Sequence, residues 1–260
     1  MIYILGGEGF VGSAYVRLCV ARGLAHEVIT RNNYADYVGQ KCELLINANG
    51  NSKKFLADRD PKWEFDASVR TVIRSLEDFR AECYIYLSTG DVYPDQSSPI
   101  VTKEDQAIDV LAQSRYGFHK GLAELAVRKS HPRHIIMRMG GFVGPGIKKN
   151  AIYDMITGGP VWITAESELQ FISTDTAARL VLRVLEKQAF GETVNLGAVG
   201  TVRIGDVHAR LNSKSVFQQD AKRVRFELST DKLAEIVSEE LPSSKGEVES
   251  FVRDSGWNSL

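Results

Sequence analysis

The chain has 260 residues, enough for one large domain or for one and a half small ones. Its 32 basic and 33 acidic residues leave a net charge of −1, so no global basic field points to nucleic acid. The composition, 43% hydrophobic and 25% charged, is that of an ordinary globular protein; it holds no run of about 18 apolar residues to span a bilayer, and the opening MIYILGGEGF is too short and lacks the basic leader of a signal peptide.

Short apolar runs at 2–5, 27–30, 44–47, 84–88, 135–139 and 193–196 read as strands. Amphipathic stretches at 9–22, 66–80, 115–129 and 174–186 read as helices between them. That alternation predicts an α/β fold: a doubly wound parallel sheet of Rossmann type, with right-handed crossovers and helices on both faces. The segment 141–168, with Gly144, Pro145, Gly146, Gly158, Gly159 and Pro160, breaks the rhythm, and 198–260 is irregular until a helix near 245–255. The predicted organisation is a dinucleotide-binding core over 1–140, to which 169–197 returns, and a small C-terminal substrate-binding lobe made of 141–168 and 198–260.

The first predicted strand runs into Gly6-Gly7-Glu8-Gly9-Phe10-Val11-Gly12. Glycines at 6, 9 and 12 permit a tight strand-to-helix turn and close approach of the backbone to a pyrophosphate, which the helix N-terminus then faces with free N–H groups. The second strand ends in Thr30-Arg31-Asn32. An acid there would bind the adenosine ribose of NAD; Arg31 instead suits a 2′-phosphate, so the expected cofactor is NADP. Gly6, Gly9, Phe10, Val11, Gly12, Arg31, Asn32, Asn47 at the end of the third strand, and Leu87 on the fourth are the candidate cofactor contacts, together with Tyr116 and Lys120.

Tyr116 and Lys120 lie four residues apart, hence on one helix face. A tyrosine with a pKa of about 10 is a poor acid–base group near neutrality, and an adjacent lysine is expected to lower that value. Upstream, Leu87-Ser88-Thr89 delivers hydroxyls to the carboxyl edge of the sheet, where ligands of such folds bind. The candidate catalytic set is Thr89, Tyr116 and Lys120. Asp91 is either a second acid–base group or a turn aspartate. His119 reads as a surface or interface residue, and Trp63, Trp162 and Trp257 as packing residues. Cys19, Cys42 and Cys83 are odd in number and lack metal-ligand spacing; they read as reduced thiols of a cytoplasmic protein, and no metal site is expected.

These motifs together resemble the extended short-chain dehydrogenase/reductases of the NAD-dependent epimerase/dehydratase family. The resemblance rests on the turn at 6–12, Leu87-Ser88-Thr89-Gly90-Asp91-Val92-Tyr93, the helix Ser114-Arg115-Tyr116 through Glu124, RMGGFVGPG at 138–146, Phe171-Ile172-Ser173-Thr174-Asp175, and GETVNLG at 191–197. It implies the same catalytic triad, a nucleotide-sugar substrate, and a homodimer built on the helices at 66–80 and 115–129. It also implies substrate contacts at Asp91, Gly141 and Arg225; Lys148 and Lys149, after the Gly-Pro-Gly turn, either neutralise a substrate diphosphate or are solvated lysines. Gly90 and Asp91 stand where dehydratases of the family carry an Asp-Glu pair, and Gly141 lies where an asparagine is usual. The expected activity is NADP-dependent reduction of a keto group on a nucleotide-activated deoxysugar. A sugar-nucleotide epimerase and a non-catalytic NADP(H)-binding sensor are the alternatives, separated from a reductase by the absence of net NADPH consumption.

Overall fold

The computed structural model describes residues 1–51 and 54–254. Six parallel strands form the central sheet, in the spatial order Glu192–Leu196, His134–Met139, Arg80–Thr89, Lys41–Asn47, Ile2–Leu5, His26–Ile29. The chain winds outward from Ile2–Leu5 to the His26–Ile29 edge, then crosses back and winds the other way. The reversal lies between Ile2–Leu5 and Lys41–Asn47, with Leu5 in register with Asn47. Crevices at the carboxyl end of such a reversal are where open α/β sheets bind ligands.

Both faces of the sheet are covered, as the period of two along each strand requires. Ile4, Leu44, Ile46, Cys83, Ile85, Leu87, Ile135 and Met137 point to one face, where helices Gly12–Ala21 and Thr174–Glu186 contribute Ala14, Tyr15, Cys19, Leu180, Val181 and Val184. Tyr3, Leu5, Leu45, Tyr84, Tyr86 and Ile136 point to the other, against Val72 of helix Thr71–Asp78 and Ala123 and Val127 of helix Arg115–Ser130. Each fully buried aliphatic side chain contributes about 1.5–3 kcal/mol of transfer free energy. A separate apolar cluster joins Val143, Ile152, Met155 and Phe171 to Val202, Ile204, Val207, Val248 and Val252.

The predicted strands are present, the fourth lengthened to Arg80–Thr89. Arg80 therefore opens a strand rather than closing a helix. The predicted helix at 66–80 is shorter and irregular: a π-helical segment Asp66–Arg70 precedes helix Thr71–Asp78, and helices Leu56–Arg59 and Pro61–Phe65 come before it. The first helix begins at Gly12, since residues 6–11 are spent in the turn. The segment 141–168 is more regular than its glycines suggested. It holds strand Gly141–Val143, paired with Phe171–Ser173, then helix Ala151–Thr157 and strand Val161–Ile163. The C-terminal helix is Ser244–Asp254, and Trp257 lies outside the described residues. Among the described residues, no helix is long and apolar enough to cross a membrane and no cluster of His, Cys, Asp or Glu could hold a metal ion. All three cysteines are buried free thiols.

Candidate functional site

The glycine turn is built around the Gly6 carbonyl. Gly6 sits at φ +76°, and a Cβ on it would lie 2.6 Å from Asn49 Oδ1. The Gly9 N–H donates to the Gly6 oxygen at 2.9 Å. A Cβ on Gly12 would lie 2.2 Å from that same oxygen, so only glycine lets the helix start so close to the strand. The helix N-terminus carries no side-chain cap and no acid in its first turn. Its Ser13 and Ala14 N–H groups are bonded to the Gly9 and Val11 carbonyls, and the positive dipole end at the winding reversal fits the pyrophosphate of a dinucleotide. Phe10 and Val11 pack partly against the core.

At the end of the second strand, Asn33 fixes the turn: its Oδ1 accepts the Thr30 N–H at 2.7 Å, and its Nδ2 donates to the Val28 carbonyl at 3.0 Å. Arg31 and Asn32 are exposed on that turn, and among the described residues no carboxylate pairs with Arg31. Asn47 is fully buried. Its Nδ2 donates to Ser75 Oγ and to the Tyr84 hydroxyl at 3.1 and 2.7 Å, and its Oδ1 accepts the Asn49 N–H at 3.0 Å. The side chain is thus spent in shaping the loop opposite Gly6. Leu87 has a buried side chain and offers its carbonyl to Lys120.

The helix Arg115–Ser130 starts at Ser114, whose Oγ accepts the Gly117 N–H at 3.1 Å. A Cβ on Gly117 would lie 2.0 Å from the Asp91 carbonyl, so this glycine lets the helix press against the turn that follows strand Arg80–Thr89. That contact brings Thr89, Asp91, Tyr116 and Lys120 together. Thr89 Oγ1 donates to Asp91 at 2.7 Å, and Lys54 Nζ lies 2.6 Å from the Asp91 carboxylate. The Tyr116 hydroxyl donates to the Asn51 carbonyl at 3.1 Å. Lys120 is buried; its Nζ donates to the Leu87 carbonyl at 3.1 Å and stands 4.4 Å from the centre of the Tyr86 ring.

Burial, opposed by the charges of Glu124, Glu64 and Asp91, brings the Lys120 pKa down to about 8. Burial also drives the Tyr116 pKa upward, reinforced by Asp91 and then Glu64. The sequence led to the opposite expectation for Tyr116. The shift is upward because the hydroxyl end of this half-buried residue is enclosed and faces two carboxylates.

Behind these groups lies a buried network. Glu124 accepts from Ser88 Oγ at 2.6 Å, from Arg138 Nη2 at 2.8 Å and from Arg128 Nη2 at 2.8 Å; Arg138 Nη1 donates to the Tyr93 hydroxyl at 2.9 Å. Removing one partner of such a network would strand a buried charge, at a cost of about 3–5 kcal/mol.

Of the residues expected to touch substrate, Asp91 sits beside Thr89, and the others lie on separate segments. Gly141 lies in a strand, where a Cβ would meet the Gln170 carbonyl at 2.6 Å. Lys148 and Lys149 are exposed beyond it. The Arg225 guanidinium is held by Glu168 at 2.7 Å and Glu227 at 2.8 Å. Its neighbour Phe226 is the residue that reaches the site: a Cβ on Gly90 would meet its ring at 2.8 Å, and Lys54 Nζ stands 5.8 Å from the ring centre. Sequence reasoning missed Asn51, Lys54 and Phe226. A signal for the first was present, since Asn47-Ala48-Asn49-Gly50-Asn51 follows a strand at the winding reversal; a two-residue strand gave none for Phe226. His119, read as a surface or interface residue, is buried within the chain and bonded to Glu64, while Trp63 and Trp162, read as packing residues, are exposed.

A glycine turn facing a Tyr-x-x-x-Lys helix across the carboxyl edge of a doubly wound sheet defines a Rossmann-type protein of the extended short-chain dehydrogenase/reductase class. The chain belongs to the NAD dependent epimerase/dehydratase family, which it matches over residues 2–197. No curated protein matches it by sequence. Solved structures of the same fold include a UDP-galactose 4-epimerase, at TM-score 0.79 and 20% identity, covering 100% of this chain and 99% of that one. A dTDP-4-dehydrorhamnose reductase from Bacillus anthracis str. Ames in complex with NADP aligns at TM-score 0.79 and 13% identity, covering 97% of each chain. A UDP-glucuronic acid 4-epimerase from Bacillus cereus, in complex with UDP-glucuronic acid and NAD, aligns at TM-score 0.77 and 17% identity, covering 97% of this chain and 98% of that one.

Proposed function

We propose that this protein is an NADP-dependent oxidoreductase that reduces a keto group on a nucleotide-activated sugar. The observation that carries the reading is the placement of Thr89, Tyr116 and Lys120 around Asp91 at the sheet edge: Thr89 bonds its carboxylate, whose charge bears on both Tyr116 and Lys120. NADPH, when bound, supplies the hydride. The chain's residues do the rest. The turn at 6–12 and the helix N-terminus bind the pyrophosphate, and Arg31 binds the 2′-phosphate. Lys120 holds the nicotinamide ribose. Thr89 turns its hydroxyl from Asp91 to the substrate's carbonyl oxygen. Tyr116 gives that oxygen its proton as the carbonyl carbon gains the hydride. Burial keeps the Tyr116 phenol protonated in the neutral range, so the proton that reduction consumes is in place, while the raised pKa makes the phenol a weaker acid than a free one.

In this reading the substrate lobe comprises 141–168 and 198–260, supported by the apolar cluster those segments share with Phe171. The family's nucleotide-sugar neighbours support the substrate class. One observation favours epimerisation as a second reading: the Asp91 carboxylate sits beside Thr89, where it can serve as a second acid–base group. NADPH absorbance followed against a panel of nucleotide-4-keto-sugars separates the two. Reduction consumes one NADPH per sugar; inversion without net consumption, or no reaction across the panel, overturns the reductase reading.

A further inference from the structure

Strand Arg80–Thr89 turns Tyr84, Tyr86 and Ser88 to the face covered by the catalytic helix Arg115–Ser130, two residues apart as the pleat dictates. Two of the three have their polar groups bonded: the Tyr84 hydroxyl to Asn47 and Ser75, and Ser88 Oγ to Glu124. Tyr86 does not. Its side chain is fully buried, and its hydroxyl has no hydrogen-bond partner among the described residues. What Tyr86 offers the helix is the face of its ring, and Lys120 Nζ stands over that face, 4.4 Å from the ring centre.

Lys120 has little else to rest on. An ammonium carries three N–H donors. The Leu87 carbonyl takes one, at 3.1 Å, and among the described residues no carboxylate lies within ion-pair range of Nζ. The titratable groups around it are Glu124 and Tyr116 on its own helix, Asp91 on the turn after strand Arg80–Thr89, and Glu64 on helix Pro61–Phe65. Glu124 is paired with Arg138 and Arg128, Asp91 with Lys54, and Glu64 is bonded to Ser68 and His119. The direct contacts of the buried ammonium are thus one carbonyl and one aromatic face. A cation over such a face is attracted by the negative charge of the ring's quadrupole, and more strongly where water is excluded. Burial holds the Tyr86 phenol well above its ordinary pKa of 10, so the ring stays neutral while the lysine titrates.

We propose that Tyr86 is a positioning residue for Lys120: its ring face is the seat that holds the ammonium at the carboxyl edge of the sheet, beside the Leu87 carbonyl. A neutral amine gains far less from the ring, so the seat favours the charged form. An ordinary core aromatic would fill the same volume, but the titration of the lysine would then be indifferent to the electrons of the ring. The consequence for cofactor binding rests on the role given to Lys120 above; the seat itself does not.

The test is an NMR titration of the full-length protein carrying 13C-labelled lysine, with the Lys120 signal identified by Lys120→Arg. Position 86 is varied at nearly constant shape: Tyr86→Phe, then phenylalanine bearing two and three ring fluorines, which withdraw negative charge from the ring face. In Tyr86→Phe the Lys120 midpoint stays near its native value of about 8, because the ring is kept and no hydrogen bond is lost. With added fluorine it falls stepwise, by roughly one pH unit for the most fluorinated ring. The ring also leaves a signature of its own. In the native protein and in Tyr86→Phe the ε-methylene protons of Lys120 resonate upfield, displaced by the ring current, and in Tyr86→Leu they return towards the ordinary lysine position. A midpoint indifferent to fluorination, a fall in Tyr86→Phe as large as in the most fluorinated variant, or ε-methylene protons at the ordinary position in the native protein overturns the proposal. NADPH affinity measured across the same series keeps the two readings apart. Midpoints that fall while affinity does not follow support the seat and remove Lys120 from the cofactor site.

Discussion

The Tyr116 hydroxyl donates its hydrogen to the backbone carbonyl of Asn51, 3.1 Å away. The proton that the proposed reaction would spend is therefore held by a neighbouring loop until a substrate oxygen takes that position. Neither Lys120 nor Thr89 bonds to this hydroxyl in the ligand-free protein; Lys120 is turned to Leu87 and Thr89 to Asp91.

Two titrations follow for the active site. Tyr116 stays protonated throughout the neutral range, whereas Lys120 is charged below about 8 and neutral above it. NADPH affinity is therefore highest below about pH 8 and falls as pH rises through it, because the ribose loses a cationic donor. Tyr116→Phe lowers kcat by roughly 10²–10⁴ with a smaller effect on KM. Steady-state kinetics on the keto-sugar check the second statement and calorimetry from pH 6.5 to 9.5 the first; flat affinity across that range contradicts it.

Lys120 also burdens the fold. Its pKa in the folded chain, about 8, lies below its ordinary 10.5. Between those values the unfolded chain binds a proton that the folded chain lacks, so this group's contribution to stability rises with pH across that window and is least below 8. Lys120→Met should then raise the melting temperature of the ligand-free protein at pH 7, by about 1–3 kcal/mol or a few degrees, while weakening NADPH binding. The gain disappears near pH 10.5. Calorimetric scans at pH 7 and 10 decide it, and a variant less stable at pH 7 would refute the account.

Arg31 is exposed and pairs with no carboxylate among the described residues. In the proposed reading its guanidinium takes a 2′-phosphate, and NADPH is expected to bind more tightly than NADH. Arg31→Asp costs at least about tenfold in that preference, the value of one charge-assisted bond. Equal native affinities for the two cofactors would exclude the assignment.

Gly12→Ala places a methyl group 2.2 Å from the Gly6 oxygen. The helix must then withdraw from the strand, which costs about 1–3 kcal/mol of stability and spoils the pyrophosphate cradle. The expected outcome is a lower melting temperature together with lost binding of both NADPH and NADH. Retained affinity would show that the turn does not hold the cofactor.

Phe65, Ile73, Phe118 and Leu125 are exposed on the helices that flank the catalytic face. Scattered singly such residues are unremarkable, but the seven-residue spacing of Phe118 and Leu125 puts those two on one side of their helix, a side that would suit a second copy of the chain. Light scattering is expected to give twice 28.9 kDa, and Leu125→Glu to shift the mass towards the monomer. A monomer at micromolar concentration in the native protein would count against the homodimer.

Much of this was legible in the sequence because it was written in local terms. The strands showed as apolar runs buried on both faces, and the glycine turn announced itself through residues that only a tight strand-to-helix bend requires. Tyr116 and Lys120 needed nothing beyond helical spacing. What escaped depended on distant partners. The π-helical turn at Asp66–Arg70 has no signature of its own, and Arg80 looked like the end of a helix because nothing nearby marks it as a strand residue. The bonds that Asn47 makes to Tyr84 and Ser75 could not be read from the sequence around it. The upward shift of Tyr116 could not be read from Lys120 alone, since burial, and after it Asp91 and Glu64, act on it only in the folded chain.

Phe226 closes the site from a point more than 130 residues beyond Gly90, the residue it touches, and about 220 beyond the glycine turn. The cleft therefore has no counterpart in any short stretch of chain emerging during synthesis. The phosphate cradle can take shape from the first fifty residues, but its opposite wall waits until nearly nine-tenths of the polypeptide has been made. A breathing motion that lifts only the strand Arg225–Phe226 from Glu168–Leu169 would open the substrate side and leave the cradle standing. Loss of turnover on warming would then precede loss of cofactor retention.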